Sequence, residues 1–109
     1  MGKNSDFLPG TLDMLILKTL SLGSQHGYGI AQHIKQTSDS VLNVEEGSLY
    51  PALQRLLVQG FVKAEWGQSE TNRRARYYSL TPAGRKRYGV EVSQFEQLVA
   101  AIGRVLETA

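Results

Sequence analysis

The chain has 109 residues, which is the length of one domain, and its hydrophobic fraction of 41% and charged fraction of 20% are typical of a globular protein rather than a disordered one. It contains no cysteine, which excludes a disulfide framework, a thiolate zinc site and a cysteine nucleophile. The net charge is only +2, so an electrostatic function depends on where the charges lie.

Apolar residues at spacings of three and four predict three short helices in the first half of the chain. Thr11 is expected to cap the first helix, and Gly23 to end it. The second helix follows a turn at residues 24–27 and ends near Ser38. Residues 41–44 are interpreted as a brief strand. The third helix, in which the leucines recur at helical spacing, ends at Gly60.

The hydrophobic period changes from helical to alternating after the third helix. Residues 61–66 and 76–80 predict two strands, joined by a long polar tip at residues 67–75. Thr81 followed by Pro82 matches a helix N-cap with proline at the first helical position. A last helix from residue 82 to about residue 107 would be roughly 39 Å long at 1.5 Å per residue.

This order of elements predicts a mainly α fold of the α+β class, a winged helix-turn-helix with a long C-terminal dimerisation helix. We expect residues 1–80 to form the DNA-binding domain and residues 81–109 the dimerisation helix, in one compact unit. The alternative is a bare helical bundle with a hairpin insert. The winged fold is favoured because a bundle has no need of a basic hairpin tip directly after its third helix.

Half of the basic residues lie in one segment. Residues 71–90 contain six of the twelve, with no acidic residue among them. Such segregation predicts a positive face that binds a polyanion, and the alternative is an ordinary solvated surface. At a hairpin tip and its exit strand, flexible cations can follow a DNA backbone or enter a minor groove. The cations placed there are Arg73, Arg74 and Arg76, and the other three are Arg85, Lys86 and Arg87.

The third helix has a short polar face opposite its leucines. Serine, glutamine and arginine side chains hydrogen-bond to phosphates or base edges, and proline near a helix start is expected to leave backbone donors for a phosphate. For Tyr50 the alternative is an aromatic residue at the edge of the core. The candidate DNA-contacting residues of this helix are Ser48, Tyr50, Pro51, Gln54 and Arg55.

Three motifs stand out along the chain. They are Leu-Ser-Leu-Gly-x-x-His-Gly-Tyr-Gly-Ile at residues 20–30, Glu-Gly-Ser-Leu-Tyr-Pro-Ala-Leu at residues 46–53, and Arg-Arg-Ala-Arg-Tyr-Tyr-x-Leu-Thr-x-x-Gly at residues 73–84. In these motifs the chain resembles the PadR family of bacterial transcriptional regulators, over residues 8–88. It is similar to the shorter branch of that family, which lacks a bulky C-terminal helical domain.

The resemblance implies a homodimeric winged-helix repressor that binds a pseudo-palindromic operator in double-stranded DNA. In some members of the family, small hydrophobic or aromatic effectors release the DNA. The resemblance places Ser48, Tyr50 and Pro51 on the operator backbone and the three hairpin arginines in the wing. It implies an architectural role for the turn at residues 27–29, with Tyr28 packing or capping between helices and outside the DNA-contacting set.

One face of the last helix is apolar, and the rest of the chain is too small to cover it. A second copy of the chain is the expected cover, and the alternative is that the stripe folds back on its own domain. The candidate dimer-interface residues are Leu12, Leu15 and Ile16 in the first helix and Phe95, Leu98, Val99, Ile102, Val105 and Leu106 in the last.

Dimerisation suggests a mechanism by which the protein could release DNA, through a change in the angle between the two subunits. Two recognition helices about 34 Å apart reach successive major grooves, so a change in the angle between subunits changes operator affinity. A small apolar ligand between the C-terminal helices would produce such a change. Its candidate aromatic neighbours are Phe7, Trp66 and Phe95, for which the alternative is an ordinary place in the core.

An enzyme is not expected. His26 and His33 are the only histidines, no carboxylate cluster completes a metal set, and the glycines form no phosphate-binding loop. We therefore predict no catalytic residue, no metal and no cofactor. The most apolar run, residues 14–22, is far shorter than the ~20 residues of a membrane span. A soluble protein of the bacterial cytoplasm is expected, with a winged-helix protein–protein interaction module as the alternative function.

Overall fold

The computed structural model describes residues 10–108, and these residues form four α-helices and one three-stranded sheet. In chain order the elements are α1 (Thr11–Ser21), β1 (Gln25–His26), α2 (Gly27–Thr37), α3 (Glu46–Val58), β2 (Val62–Gln68), β3 (Arg74–Leu80) and α4 (Pro82–Leu106). The sheet is antiparallel, with the order β1-β3-β2. This is the predicted winged helix-turn-helix: α2 and α3 form the helix-turn-helix, the β2–β3 hairpin forms the wing, and the long α4 follows.

Two local predictions are wrong. Residues 41–44 form no strand, and the short strand lies instead at Gln25–His26, paired with β3. The alternation at 41–44 arises because Leu42 and Val44 pack against the core from a loop. Thr11 is not the N-cap of α1 but its first residue, since Gly10 occupies the cap position with a φ of 87°. That left-handed conformation suits glycine far better than a residue with a Cβ.

One hydrophobic core joins the helices to the sheet. α1 lies at its centre, packed against α2, α3, α4 and β3. Leucines of α3 enter it from one side, and one face of the sheet closes it from another. The buried residues of the cluster are Ile16, Leu17, Leu20, Ile30, Ile34, Leu49, Ala52, Leu53, Leu56, Val62 and Tyr78.

The predicted cap of α4 is confirmed, and it also ties α4 to the end of α3. The Thr81 hydroxyl accepts a hydrogen bond from the Gly84 N–H at 3.0 Å and donates to the carbonyl oxygen of Gly60 at 2.7 Å. Gly60 ends α3 with a φ of 81°. Because the wing runs between these two helices, the Thr81 contacts hold both of its ends together.

Most of α4 extends away from the domain. Gly84 is the only buried residue of this helix, all of which is described, whereas the apolar side chains from Phe95 to Leu106 are 37% to 77% exposed. The alternative that this stripe folds back on its own domain is therefore wrong. Ile16 is 0% exposed in the core. Its assignment to a dimer interface is also wrong, because a partner subunit cannot reach it.

Candidate nucleic-acid interface

The exposed face of α3 carries most of its candidate DNA-contacting residues. Tyr50, Pro51, Gln54 and Arg55 are exposed, and Ser48 is half-buried. Pro51 lies just after the first turn of the helix, as its sixth residue. There its missing N–H frees the carbonyl oxygen of Gly47, which is an acceptor. The expectation that this proline leaves backbone donors for a phosphate is therefore wrong.

Arg55 has a partner within the protein. Its Nη2 donates to Oδ1 of Asp13 at 2.9 Å, and this ion pair joins α3 to α1. Both side chains are solvent-accessible, so the pair contributes little to stability. Its effect is on charge, because Asp13 offsets one cation on the exposed face of α3.

The register of the hairpin decides where the wing arginines lie. Arg74 is opposite Gln68, and Arg76 is opposite Trp66. Side chains alternate between the two faces of a strand, so both arginines share the face of Tyr78, which is buried in the core. Arg74 and Arg76 therefore continue the core-facing side of the sheet beyond the core, on the side of the sheet where the helices pack.

The tip of the wing is shorter than predicted. The strands extend to Gln68 and Arg74, and residues 69–73 form the turn. The Ser69 N–H donates to the carbonyl oxygen of Arg73 at 2.8 Å, and Asn72 adopts a left-handed conformation with a φ of 64°. Asparagine tolerates this conformation better than most residues. Arg73 is exposed at the end of this turn, directly before β3.

Trp66 is 60% exposed and does not belong to the core. The guanidinium carbon of Arg74 lies 4.8 Å from the centroid of its ring, which is the geometry of a cation–π contact. The contact holds an arginine of the wing over a flat apolar surface. The signal for this exposure was present in the sequence, because Trp66 is the last residue of the predicted strand 61–66 and is followed directly by the polar tip.

A cleft of about 880 Å³ separates the wing from the start of α2 and from Tyr50 of α3, and we call it the wing cleft. Tyr28 lines this cleft and is 69% exposed, so the prediction that Tyr28 packs between helices is wrong. At 100° per residue Tyr28 lies about 160° from Ile30, opposite the apolar stripe of α2. This position in the sequence could have predicted that Tyr28 is exposed. The residues that line the cleft include His26, Tyr28, Tyr50, Trp66, Glu70, Arg73, Arg74, Arg76 and Tyr78.

Two residues that line the wing cleft, His26 and Tyr50, carry hydrogen-bonding side chains. His26 is the N-cap of α2, where its Nδ1 accepts a hydrogen bond from the Gly29 N–H at 3.0 Å. Partial burial of the Tyr50 phenol raises its pKa, with smaller contributions from Glu46 and Tyr78. A tyrosine with the ordinary pKa of 10.0 is already protonated at neutral pH, and the shift extends this protonated, hydrogen-bond-donating form to higher pH.

The six clustered cations do not lie on one continuous face. Arg85, Lys86 and Arg87 lie in the first turns of α4, beyond the end of β3 that is opposite the wing tip. The two ends of β3, Arg74 and Leu80, are about 20 Å apart at roughly 3.3 Å per residue. Arg87 pairs with Glu91, its Nη2 lying 2.6 Å from Oε2. The predicted single positive face is therefore divided. The wing arginines line a cleft with Tyr50, near the start of α3, whereas the cations of α4 lie near the end of α3, where Thr81 bonds to Gly60.

Two further findings concern other kinds of site. In residues 10–108, no group of three or more histidine, aspartate or glutamate side chains is arranged to hold a metal ion. Within the same residues, no helix is both long enough and apolar enough to cross a bilayer. Phe7, one of the expected ligand neighbours, lies outside the described residues.

Comparisons with known proteins identify a family. Residues 16–90 match the model of the transcriptional regulator PadR-like family. The chain is similar in structure to a transcriptional regulator from Clostridium thermocellum, with 34% identity, a TM-score of 0.80 and coverage of 87% of this chain and 92% of that one. It is also similar to a PadR family transcriptional regulator from Eggerthella lenta, with 30% identity, a TM-score of 0.77 and coverage of 92% and 85%. An uncharacterized protein from Lysinibacillus sphaericus is 26% identical over 103 residues, 94% of each chain.

Proposed function

This chain belongs to the PadR-like family of transcriptional regulators, and we propose that it is a repressor that binds a pseudo-palindromic operator as a homodimer. Membership of this family makes it a DNA-binding regulator and not an enzyme. We place its action in the bacterial cytoplasm, where it would reach the chromosome.

The register of the wing is the observation that carries the DNA-binding proposal. Arg74 and Arg76 extend the core-facing side of the sheet, so they and α3 can approach one duplex together. In this proposal α3 enters the major groove and the wing follows the backbone or the adjacent minor groove. The contacting residues are Ser48, Tyr50, Pro51, Gln54 and Arg55 on α3 and Arg73, Arg74 and Arg76 on the wing.

The homodimer proposal rests on the uncovered face of α4. At 100° per residue, the apolar residues between Phe95 and Leu106 fall within an arc of about 120°. Gly84 and Tyr88 lie on the same face, and they pack against the domain. One face of α4 thus packs against the domain in its first two turns and is an exposed apolar stripe from Phe95 onward. Such an exposed stripe is unusual in a monomer.

In the proposed dimer a second α4 and a second α1 cover this stripe. The interface residues are Leu12, Leu15, Phe95, Leu98, Val99, Ile102, Val105 and Leu106. We propose that residues 1–80 form the DNA-binding part and residues 81–109 the dimerisation helix.

DNase I footprinting across the DNA that flanks the gene tests the function directly. Two protected half-sites are expected, with centres about 10 base pairs or a multiple apart, because two recognition helices about 34 Å apart reach successive major grooves. In a salt titration, log affinity should fall linearly with log salt, by roughly 0.9 per neutralised phosphate. Arg74→Ala should lower this slope, and Arg104→Ala, which removes a cation near the end of α4, should not.

Absence of duplex binding even at low salt would contradict the proposal. The winged-helix protein–protein interaction module would then be the better explanation of the basic wing. Equal slopes for the Arg74→Ala and Arg104→Ala variants would contradict the role of the wing while leaving the α3 contacts in place.

A further inference from the structure

We propose that Trp66 is a positioning residue for Arg74: its ring holds the guanidinium group in place for DNA and stays stacked on that group in the complex. The inference rests on the proposed DNA-binding function, which assigns Arg74 its contact with the duplex. In this role Trp66 acts through Arg74 and does not itself read the DNA.

The register of the wing brings the two side chains together. Trp66 is opposite Arg76, and Arg74 is its diagonal neighbour on the same face of the sheet. Diagonal neighbours lie about 7–8 Å apart, which is within reach of an aromatic ring and a long side chain. The guanidinium carbon of Arg74 accordingly lies 4.8 Å from the centroid of the Trp66 ring. The contact therefore follows from the pairing of β2 with β3.

The Trp66 ring does little for the core. It is 60% exposed, although tryptophan side chains are highly buried on average. Trp66 belongs neither to the buried cluster nor to the residues packed against that cluster. Among the described residues, its one ring contact is the contact with Arg74. The place of this large ring on β2 thus points to a role at the surface of the wing.

Stacking holds the guanidinium group and leaves its charge available. A guanidinium that lies over a ring keeps its N–H donors, because these point outward in its own plane. Among the described residues Arg74 has no ion pair with a carboxylate, whereas Arg55 is paired with Asp13. Arg74 is therefore a cation that is held in place without being neutralised. Its donors can bind a phosphate or enter a minor groove while the ring keeps its position.

The strand that carries the ring is itself supported from its other face. The Tyr77 hydroxyl donates to the carbonyl oxygen of Gln68 at 3.0 Å. The Tyr77 ring packs on Gly67, where a Cβ would lie 3.1 Å from its Cδ1. An arginine side chain loses rotamer entropy when it is immobilised on binding. A ring on a supported strand reduces this loss, because Arg74 is already ordered before DNA arrives.

The first measurement tests the stacking without DNA. Trp66 is the single tryptophan of the chain, so tryptophan fluorescence reports on this ring alone. Arg74→Ala should raise the acrylamide quenching constant, because one face of the ring loses its cover. Arg73→Ala, which removes the neighbouring cation of the wing turn, should leave the constant unchanged. Equal quenching constants for the two variants would overturn the proposal.

The second measurement is affinity for a labelled fragment of the DNA that flanks the gene. Trp66→Leu should fold, because the ring is exposed, and should weaken binding about two- to fivefold, which is the size of an exposed cation–π contact. Trp66→Phe, which restores an aromatic face, should recover part of this loss. Tighter binding by Trp66→Leu would show that the ring withholds Arg74 from DNA, and would overturn the proposal.

Salt dependence separates positioning from a lost phosphate contact. The slope of log affinity against log salt should be the same in Trp66→Leu and the parent, because the number of neutralised phosphates does not change. Arg74→Ala should lower this slope. A slope that falls equally in both variants would assign Trp66 a phosphate contact of its own, contrary to the proposal.

Double variants test whether Trp66 acts through Arg74. In an Arg74→Ala background Trp66→Leu should not change duplex affinity, whereas in an Arg73→Ala background it should keep its full effect. Equal losses in the two backgrounds would show that the ring supports the whole wing or touches DNA directly. Absence of duplex binding by the parent contradicts the proposed function and this inference with it. Duplex binding in which Trp66 and Arg74 act independently contradicts this inference alone.

Discussion

The ring of Tyr50 lies directly against the backbone of Gly27, at the start of α2. A Cβ placed on Gly27 would stand 2.5 Å from the Tyr50 hydroxyl oxygen and 2.9 Å from its Cζ, closer than atoms approach in proteins. The absence of a side chain at Gly27 thus lets the tyrosine of α3 pack beside α2. The glycine of the turn sets the position of a candidate DNA-contacting side chain.

Gly27→Ala is expected to displace Tyr50 without unfolding the protein. Only a flexible side chain has to move, and alanine gains roughly 0.5–1 kcal/mol of helix propensity, so stability should change by less than about 1 kcal/mol. Duplex affinity should fall, because Tyr50 leaves its position. In a Tyr50→Ala background Gly27→Ala should be stabilising, by the gain in helix propensity alone. Urea denaturation of the parent, the two single variants and the double variant will measure this difference. Identical effects in both backgrounds would contradict the contact.

Tyr50 also predicts a pH dependence. Burial raises its pKa above the ordinary value of 10.0, and the charge of Glu46 and then Tyr78 act in the same direction. The folded state therefore favours the neutral phenol. Its contribution to stability is complete below the pKa of the unfolded chain and is lost as pH rises through the pKa of the folded protein. Stability should fall above pH 10 by less in Tyr50→Phe than in the parent, measured by urea denaturation.

The same titration has a spectroscopic readout. Phenolate absorbance should show one tyrosine that ionises late, and the late component should be absent from Tyr50→Phe. Glu46→Gln should move that component to lower pH, because it removes a negative charge near the phenol. A late component that survives in Tyr50→Phe would assign the shift to another tyrosine.

Gly84 and Gly89 form a matched pair on α4. A Cβ on Gly84 would overlap the backbone carbonyl oxygen of Phe61, which a side-chain rotation cannot relieve, whereas a Cβ on Gly89 meets no atom within 4 Å. Gly84→Ala should therefore destabilise the protein by about 1–3 kcal/mol. Gly89→Ala should stabilise it by roughly 0.5–1 kcal/mol. Thermal unfolding will compare the two, and effects of the same sign would contradict the close approach at Gly84.

The ion pair between Asp13 and Arg55 predicts a gain of DNA affinity. Asp13→Asn should change stability by less than about 1 kcal/mol, because the pair is solvent-accessible. It should strengthen duplex binding and steepen the salt dependence, since Arg55 is released for a phosphate or a base. The change in affinity should vanish in an Arg55→Ala background. An equal gain with and without Arg55 would show that only the overall charge matters.

A charge in the middle of the α4 stripe is expected to prevent dimerisation. Leu98 is 50% exposed, so Leu98→Asp should leave the domain folded while placing a carboxylate in the proposed interface. Analytical ultracentrifugation should then show a monomer, and affinity for a two-half-site operator should fall. Val41→Asp, at a residue 66% exposed and outside the interface, is the control. Dimers that persist in Leu98→Asp would place the interface elsewhere.

Much of the fold was predictable because its signals are local. The leucine spacing identified α3, Gly60 marked its end, and Thr81 with Pro82 marked the start of α4. The strand at residues 41–44 was mistaken because a loop that packs on the core shows the same alternation as a strand. The true third strand has only two residues, too few for a period, and is defined by its pairing with β3.

The site was predictable in part. The arginines of the wing were evident from their segregation along the chain, and so was the polar face of α3. The exposed ring of Tyr28 was missed because the family resemblance implied that it packs or caps between helices. That of Trp66 was missed because the alternatives for it were a ligand between the C-terminal helices and the core. Their exposure follows from strand register and helix phase.

Local sequence was sufficient for the four helices, the two strands of the wing, the cap of α4 and the excess of positive charge in the hairpin. Such features depend on residues within a few positions of one another. Tertiary packing determined the pairing of Arg55 with Asp13, which is 42 residues away along the chain. It also determined that Ile16 is buried in the core whereas the apolar stripe of α4 is exposed. It also separated the three arginines of the wing from the three cations of α4, because they lie towards opposite ends of an extended strand that is about 20 Å long at roughly 3.3 Å per residue.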